Sequence, residues 1–268
     1  MDEREAAAAS DLRRAGEMLA SALRDRKACD AVRSLVEPHG LEGAYFVQRT
    51  LEANAIAAGQ RITGRKIGLT APAVQTQLGV SQPDFGFLTD GMELGDGDEI
   101  PFTHLIAPRV EAEIAFVLGS DLTADTLSLG VVINAVAYAL PAIEIVDSRV
   151  RDWKISIFDT VADNASAGMF VLGGTPRKID AFDLRLCGMS LECQGEPVSV
   201  GCGAACLGNP LNAVLWLART MQRHGRPLRA GQIVLSGALG AMVPVSPGAA
   251  YTARISGLGS VTANFSRS

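Results

Sequence analysis

The chain has 268 residues, 48% hydrophobic and 20% charged, with a net charge of -5, which is enough apolar material for one large core or two unequal ones. No Lys/Arg cluster is long enough to grip a polyanion, so nucleic acid is excluded as a partner and a small ligand is expected. The N-terminal MDEREAAAASDLRRAGEML is acidic and arginine-rich where a signal needs a basic start, and LGVVINAVAYALPAIEIV is interrupted by Asn134, Pro141 and Glu144. It falls short of the roughly 20 clean residues of a membrane span, so no membrane association and a cytoplasmic location are expected.

From Ser10, available as an N-cap, to about Val36, the positions Leu12, Ala15, Leu19 and Leu23 recur at helical spacing. A second helical stretch runs from about Glu42 to Ala58, ahead of Gly59. Residues 1–60 therefore read as an N-terminal helical region and 61–268 as a larger, mostly sheet unit. Strand-like runs such as RITGRKIGLT, APRVEAEIAFVLG, PAIEIVDSR, GMFVLGG, QIVLSG, YTARISG and SVTANFS are punctuated by glycine and proline. Gln194-Gly195 reads as a hairpin turn. Two helices interrupt the strands, one around Leu127 to Ala139 and one opened by Asn209 as cap and Pro210 at its first position, stopping at Gly225. Because strands and helices do not alternate regularly, an α+β arrangement is preferred to a doubly wound sheet.

Five cysteines in a chain without an export signal predict small buried thiols rather than disulfides, and only Cys202 and Cys206 have the spacing of a zinc pair. His39, His104 and His224 lie far apart in no metal-binding pattern. GCGAACLG lacks the G-x-G-x-x-G spacing of a dinucleotide site, and LSGALG is not a nucleophile elbow.

The unusual feature is PRVEAEIAFVLG, which places Glu111 and Glu113 two apart in an otherwise apolar strand. Residues i and i+2 share a face, and two buried like charges need a cation or a proton to offset them. Glu144 in PAIEIVDSR is a third acid among apolar neighbours. Three carboxylates without Cys or His suit a hard ion, Mg²⁺ or Mn²⁺, whose octahedral shell leaves room for waters and a chelating substrate. Pairing of each acid with an arginine such as Arg109 or Arg149 is the plain alternative, and spacing alone leaves both open.

GRKIGLT, QPDFGFL, PRVEAEIAFVLG, PAIEIVDSRVRDWKISIFDTVADNAS, LGNPLNAVLWLA, GQIVLSGALGAMV and ISGLGSVTANFS, in this order and over nearly the whole chain, resemble the 2-oxopent-4-enoate (2-hydroxypenta-2,4-dienoate) hydratases of the fumarylacetoacetase-like superfamily. The resemblance implies a fumarylacetoacetase-like mixed β-sheet roll with helices around it and a ring-like homo-oligomer, often a pentamer or decamer. It also implies a divalent cation held by Glu111, Glu113 and Glu144. The implied activity is hydration of 2-hydroxypenta-2,4-dienoate to 4-hydroxy-2-oxopentanoate in meta-cleavage degradation of aromatic rings.

Such a substrate carries a carboxylate and an adjacent enol oxygen that can chelate one ion, and it needs proton carriers along its carbon chain. Lys66 in GRKIGLT is expected to be one; outside such a motif it would read as a surface lysine. Asp84 in QPDFG is expected to handle a proton of water or of C5, although Asp after Pro is also a common turn residue. Leu69 and Thr70 are expected to meet the substrate, Ser166 by resemblance to touch it, Ser236 with Gly237 to close the pocket, and Asp163 and Asn164 to brace the loop. Two alternatives stand beside the hydratase: a 4-oxalocrotonate decarboxylase, which GFLTDGM partly resembles, and a noncatalytic companion subunit associated with such a decarboxylase.

Overall fold

The structure, a computed structural model, describes residues 3–71, 75–76 and 80–268, with side chains from residue 8 onward. The chain opens with helix α1 (Glu3–Asp25), the short α2 (Arg33–Val36) and α3 (Gly40–Ala57). The helix predicted from Ser10 to Val36 is thus two helices. The alanine-rich start carries α1 back to Glu3, so Ser10 sits inside it rather than capping it. At its other end Arg26 turns left-handed (φ 53°) and Lys27 N–H reaches back to the Ala22 carbonyl, which ends the helix.

Thirteen strands follow among the described residues. The larger sheet holds β1 (Ile62–Gly68), β2 (Asp84–Thr89), β3 (Glu93–Gly95), β5 (Pro108–Leu118), β6 (Val136–Asp147), β7 (Ala167–Leu172) and β10 (Ile233–Leu235), in the order β2-β1-β10-β5-β6-β7-β3. A short β11 (Val243–Pro244) also pairs with β5. The smaller sheet runs β4 (Glu99–Ile100), β13 (Gly259–Phe265), β12 (Ala250–Ile255), β8 (Gly188–Cys193) and β9 (Glu196–Cys202). Both sheets are mixed, with β1 parallel to β10 and β5 antiparallel to β6 in the larger and β13 parallel to β4 and antiparallel to β12 in the smaller, so the architecture is α+β. Gln194 (φ 53°) and Gly195 (φ 87°) form the predicted hairpin turn between β8 and β9.

Helices α4 (Leu129–Ala135), α5 (Ile157–Ala162) and α6 (Pro210–Arg223) complete the fold. Asn209 caps α6 by accepting from Leu211 N–H at 2.9 Å, with Pro210 at its first position, as expected. The helix predicted around Leu127 to Ala139 ends instead at Ala135. From Val136 the chain is β6, because that stretch completes the ladder to β5 and buries Ala139 and Leu140.

Facing residues across the larger sheet alternate between two apolar clusters. One face carries Ile67, Ile114, Phe116, Ile143, Ile145 and Val234, and these join the smaller sheet and the helices in the main core. The opposite face carries a smaller cluster of Leu88, Ala115, Leu140, Ala142, Phe170, Ile233 and Leu235. Glu111, Glu113 and Glu144 lie on that second face, because Glu113 is paired with Ala142 and Glu111 with Glu144. The helices of 1–60 are tied into the sheet by polar contacts. Buried Gln48 donates to the Phe85 and Val161 carbonyls, and Glu52 holds both Arg65 of β1 and Arg226.

Candidate active site

Antiparallel pairing sets Glu111 of β5 directly opposite Glu144 of β6, and Glu113 follows two residues along the same face. One oxygen from each of the three lies within 4.8 Å of the others. Neither Glu144 oxygen has a hydrogen-bond donor, and Glu113 Oε1 has none either, although both residues are almost wholly buried. Glu113 Oε2 accepts from Gly237 N–H at 2.8 Å. That approach needs a glycine, for Gly237 has φ +98° and a Cβ there would come within 2.4 Å of the Thr70 hydroxyl oxygen. Burial, then the Glu144 charge, pushes Glu111 up to about 7, and the same two causes raise Glu113 well above the usual carboxylate range. Buried carboxylate oxygens without donors, all hard ligands and all converging, fit a divalent cation. No cysteine or histidine joins them among the described residues, and all five cysteines are free.

Neither arginine that could have neutralised these acids forms an ion pair with them, although the Arg109 charge pulls weakly on Glu111. Arg149 is paired with buried Asp163 and donates to the Asp147 and Ala167 carbonyls at 2.6 and 2.8 Å. Arg109 lies with its guanidinium 4.3 Å over the ring of Trp153.

Lys66 on β1 is the cation that does meet the cluster. Its Nζ lies 3.1 Å from Glu144 Oε1, an ion pair without hydrogen-bond alignment, and donates to the Ala165 carbonyl at 2.8 Å. Burial opposes the charge, but Glu144, then Asp84, Glu111 and Glu113, outweigh it and hold the ammonium above its ordinary range. Asp84, opposite Gly68 in the β1–β2 ladder, is buried with Oδ1 unpartnered, and burial raises its carboxyl to about 6 against the pull of Lys66. A Cβ on Gly68 would stand 2.2 Å from Asp84 Oδ1, so only glycine admits the carboxylate beside the lysine.

The Ala165 carbonyl is aimed at Lys66 by three consecutive left-handed residues, Asn164, Ala165 and Ser166 (φ 54°, 50° and 56°), a conformation that non-glycine residues adopt at a cost. Asn164 secures it. Its Oδ1 accepts from Phe87 N–H at 2.7 Å and its Nδ2 donates to the Phe87 carbonyl at 3.0 Å, covering the open edge of β2. Asn164→Ala leaves both Phe87 groups unpaired and is expected to cost about 2–4 kcal/mol in urea unfolding. A loss below about 1 kcal/mol would show that the loop holds itself.

A cavity of about 560 Å³ joins these groups, lined by Lys66, Leu69, Thr70, Asp84, Glu111 and Ser166 among others. Of the other residues singled out in the sequence, Glu113, Glu144 and Gly237 meet at the carboxylate cluster without lining the cavity, and Ser236 does not line it either. Its hydroxyl donates to the Gly237 carbonyl at 3.1 Å and accepts from Ile114 N–H at 3.3 Å, so it is fully buried as a strut behind Glu113. Arg109, Trp153, Ile155, Thr160 and Met242 line the cavity without having been singled out as site residues. The only sequence signal for Arg109 is its two-residue offset from Glu111 on the same strand face.

Residues 73–266 match the family described as Fumarylacetoacetate (FAA) hydrolase C-terminal. A TodF product hydratase of Pseudomonas putida F1 is 54% identical over 100% of both chains. A 2-keto-4-pentenoate hydratase of Paraburkholderia xenovorans LB400 is 51% identical over 94% of this chain and 93% of its own. Among solved structures, the 4-oxalocrotonate decarboxylase of Pseudomonas putida G7, complexed with magnesium and adipate, superposes with a TM-score of 0.91 at 37% identity over 99% of both chains. With the fold, the glutamate triad and these likenesses in agreement, the chain belongs to the fumarylacetoacetate hydrolase family, in its 2-keto-4-pentenoate hydratase branch.

Proposed function

We propose that the protein adds water to 2-hydroxypenta-2,4-dienoate, the enol of 2-keto-4-pentenoate, or to a close homologue, giving 4-hydroxy-2-oxopentanoate in meta-cleavage degradation of aromatic rings. One observation carries this reading: three glutamates converge, with buried oxygens of Glu113 and Glu144 left without a donor, beside a cavity that also presents Lys66, Asp84 and Glu111. The hydratases at 54% and 51% identity support it over decarboxylation, since the decarboxylase stands further away at 37%. A noncatalytic companion would have no use for an intact triad with Lys66 and Asp84 beside it.

Glu111, Glu113 and Glu144 would hold the divalent cation, Mg²⁺ or Mn²⁺. When bound, it supplies Lewis-acid polarisation at the 2-oxygen and positive charge beside the C1 carboxylate. Lys66, kept charged by its carboxylate neighbours, faces the negative charge that develops on the dienolate as the enol proton leaves. Protonation at C5 gives a 2-oxo-3-enoate. Water adds its oxygen at C4 and its second proton ends on C3, so atoms balance across the step. Asp84, whose Oδ1 is buried and unpartnered, would hold a proton between these transfers. Leu69, Thr70 and Ser166 line the path of the carbon chain, and the volume leaves space for tails beyond C5.

The reading extends to assembly. Leu186, Val198 and Val200 are exposed apolar side chains, surface that suits a homo-oligomer, pentameric or decameric, and association with a 4-oxalocrotonate decarboxylase. Among the described residues no helix is long and apolar enough to cross a membrane, which accords with the cytoplasmic location we propose. The chemistry falls to residues 61–268, with 1–60 as a supporting helical region.

The test is loss of dienoate ultraviolet absorbance by the purified protein. Activity is expected with Mg²⁺ or Mn²⁺, to vanish on thorough chelation and to return on metal addition. Turnover that survives chelation, or CO₂ release from 2-oxohex-3-enedioate without hydration of the pentadienoate, would overturn the proposal.

A further inference from the structure

Arg109 is a cation of the cavity wall that the chemistry above leaves unused. It lies two residues before Glu111 on β5, hence on the same face, opposite Val146 of β6. Among the described residues its guanidinium forms no ion pair and donates no hydrogen bond; it stacks on the Trp153 face at 4.3 Å and acts on Glu111 only through its charge, without contact. Lys66, by contrast, is paired with Glu144. The platform under Arg109 is built. Trp153 Nε1 donates to the Ala107 carbonyl at 2.9 Å, and the amides of Ala107 and Ile106 donate to the Asp147 carboxylate at 2.7 and 2.9 Å. Asp152 and Trp153 are both left-handed (φ 58° and 55°), a strained backbone that turns the indole toward the cavity.

The geometry points to Arg109 as the residue that reads the substrate's C1 carboxylate, with Trp153 positioning it. The identity of that ligand rests on the hydratase reading. A guanidinium stacked on an indole keeps its in-plane N–H groups free, and their fork matches the two oxygens of a carboxylate. The C1 carboxylate is the only formal charge on a 2-hydroxydienoate, and residues i and i+2 of a strand are about 7 Å apart, which sets the head of Arg109 within reach of a ligand at the triad. The other charged groups on the wall include Glu111, Asp84 and Asp152, so an entering anion needs a cation that, unlike Lys66, is not held in a contact ion pair.

With Mg²⁺ present, Arg109→Gln is expected to raise KM for 2-hydroxypenta-2,4-dienoate about 10- to 100-fold with kcat within about threefold. Arg109→Lys should recover part of the loss and Trp153→Leu should show a smaller rise of about 3- to 10-fold. A calorimetric comparison, independent of turnover, separates carboxylate recognition from mere packing. Metal-loaded wild type should bind 2-oxopentanoate in preference to uncharged pentane-2,3-dione, and Arg109→Gln should weaken only the acid. Unchanged KM, or equal weakening of acid and dione, overturns the assignment. If the wild type does not hydrate the dienoate, the hydratase reading fails while the acid–dione comparison still decides the role of Arg109. If Arg109→Gln does not fold, Arg109→Lys and Trp153→Leu carry the same comparison.

Discussion

Glu113→Gln is expected to cut hydration by at least about 1000-fold and, in the same variant, to make the metal-free protein more resistant to heat. Both effects come from one geometry. Glu113 is fully buried, its Oε2 is spent on Gly237 N–H, and its Oε1 has no donor in the protein. An amide can keep the first bond but removes the charge and turns a donor toward the oxygens of Glu111 and Glu144. Losing about 4 kcal/mol of cation binding or transition-state stabilisation corresponds to about 1000-fold. Without metal the balance reverses, because the native carboxyl is held above its ordinary range by burial and by Glu144. A group whose folded pKa is raised contributes stability below its unfolded pKa and loses it as pH rises through the folded value. The stabilising effect of Glu113→Gln should therefore be absent near pH 4 and grow toward neutral pH. Melting scans in chelator across that range, with Mg²⁺ titration calorimetry, read both effects. A variant that still melts higher on adding Mg²⁺, or turns over at a tenth of the wild-type rate, would remove Glu113 from the metal site.

The parts of this site that were legible in the sequence are those set by local periodicity. Glu111 and Glu113 share a face because a strand has a period of two, and that needs no tertiary information. Their convergence with Glu144 depends on the register of β5 against β6, a nonlocal pairing that residue spacing does not encode; resemblance to a family supplied it. Trp153 was hidden for a similar reason. Its position over Arg109 follows from a left-handed backbone at Asp152 and Trp153 that no propensity predicts. Ser236 shows the converse error, since a small polar residue beside glycines reads as pocket lining, whereas its hydroxyl is consumed by the backbone of β5 and Gly237. The Leu127–Ala139 stretch misled at its end because a buried apolar run fits helix and strand alike until a neighbouring strand claims it.

Lys66→Met is expected to lower kcat about 100- to 10 000-fold, the range that a positioned proton-transfer or charge-stabilising group supplies. The residue sits on β1 almost wholly buried, between the Ala165 carbonyl at 2.8 Å and Glu144 Oε1 at 3.1 Å. Methionine fills similar volume but leaves Glu144 without its cation, which is expected to destabilise the metal-free protein by about 3–5 kcal/mol. Metal should restore much of that stability and little of the activity. This split separates a chemical role from a structural one: a lysine needed only to offset Glu144 would become dispensable once the cation is bound. Borohydride reduction with substrate present should leave the wild type active, since Lys66 acts as a charged ammonium. Inactivation with a covalent adduct on Lys66 would instead establish imine chemistry, and Lys66→Met with near-normal kcat at saturating Mg²⁺ would remove the lysine from catalysis.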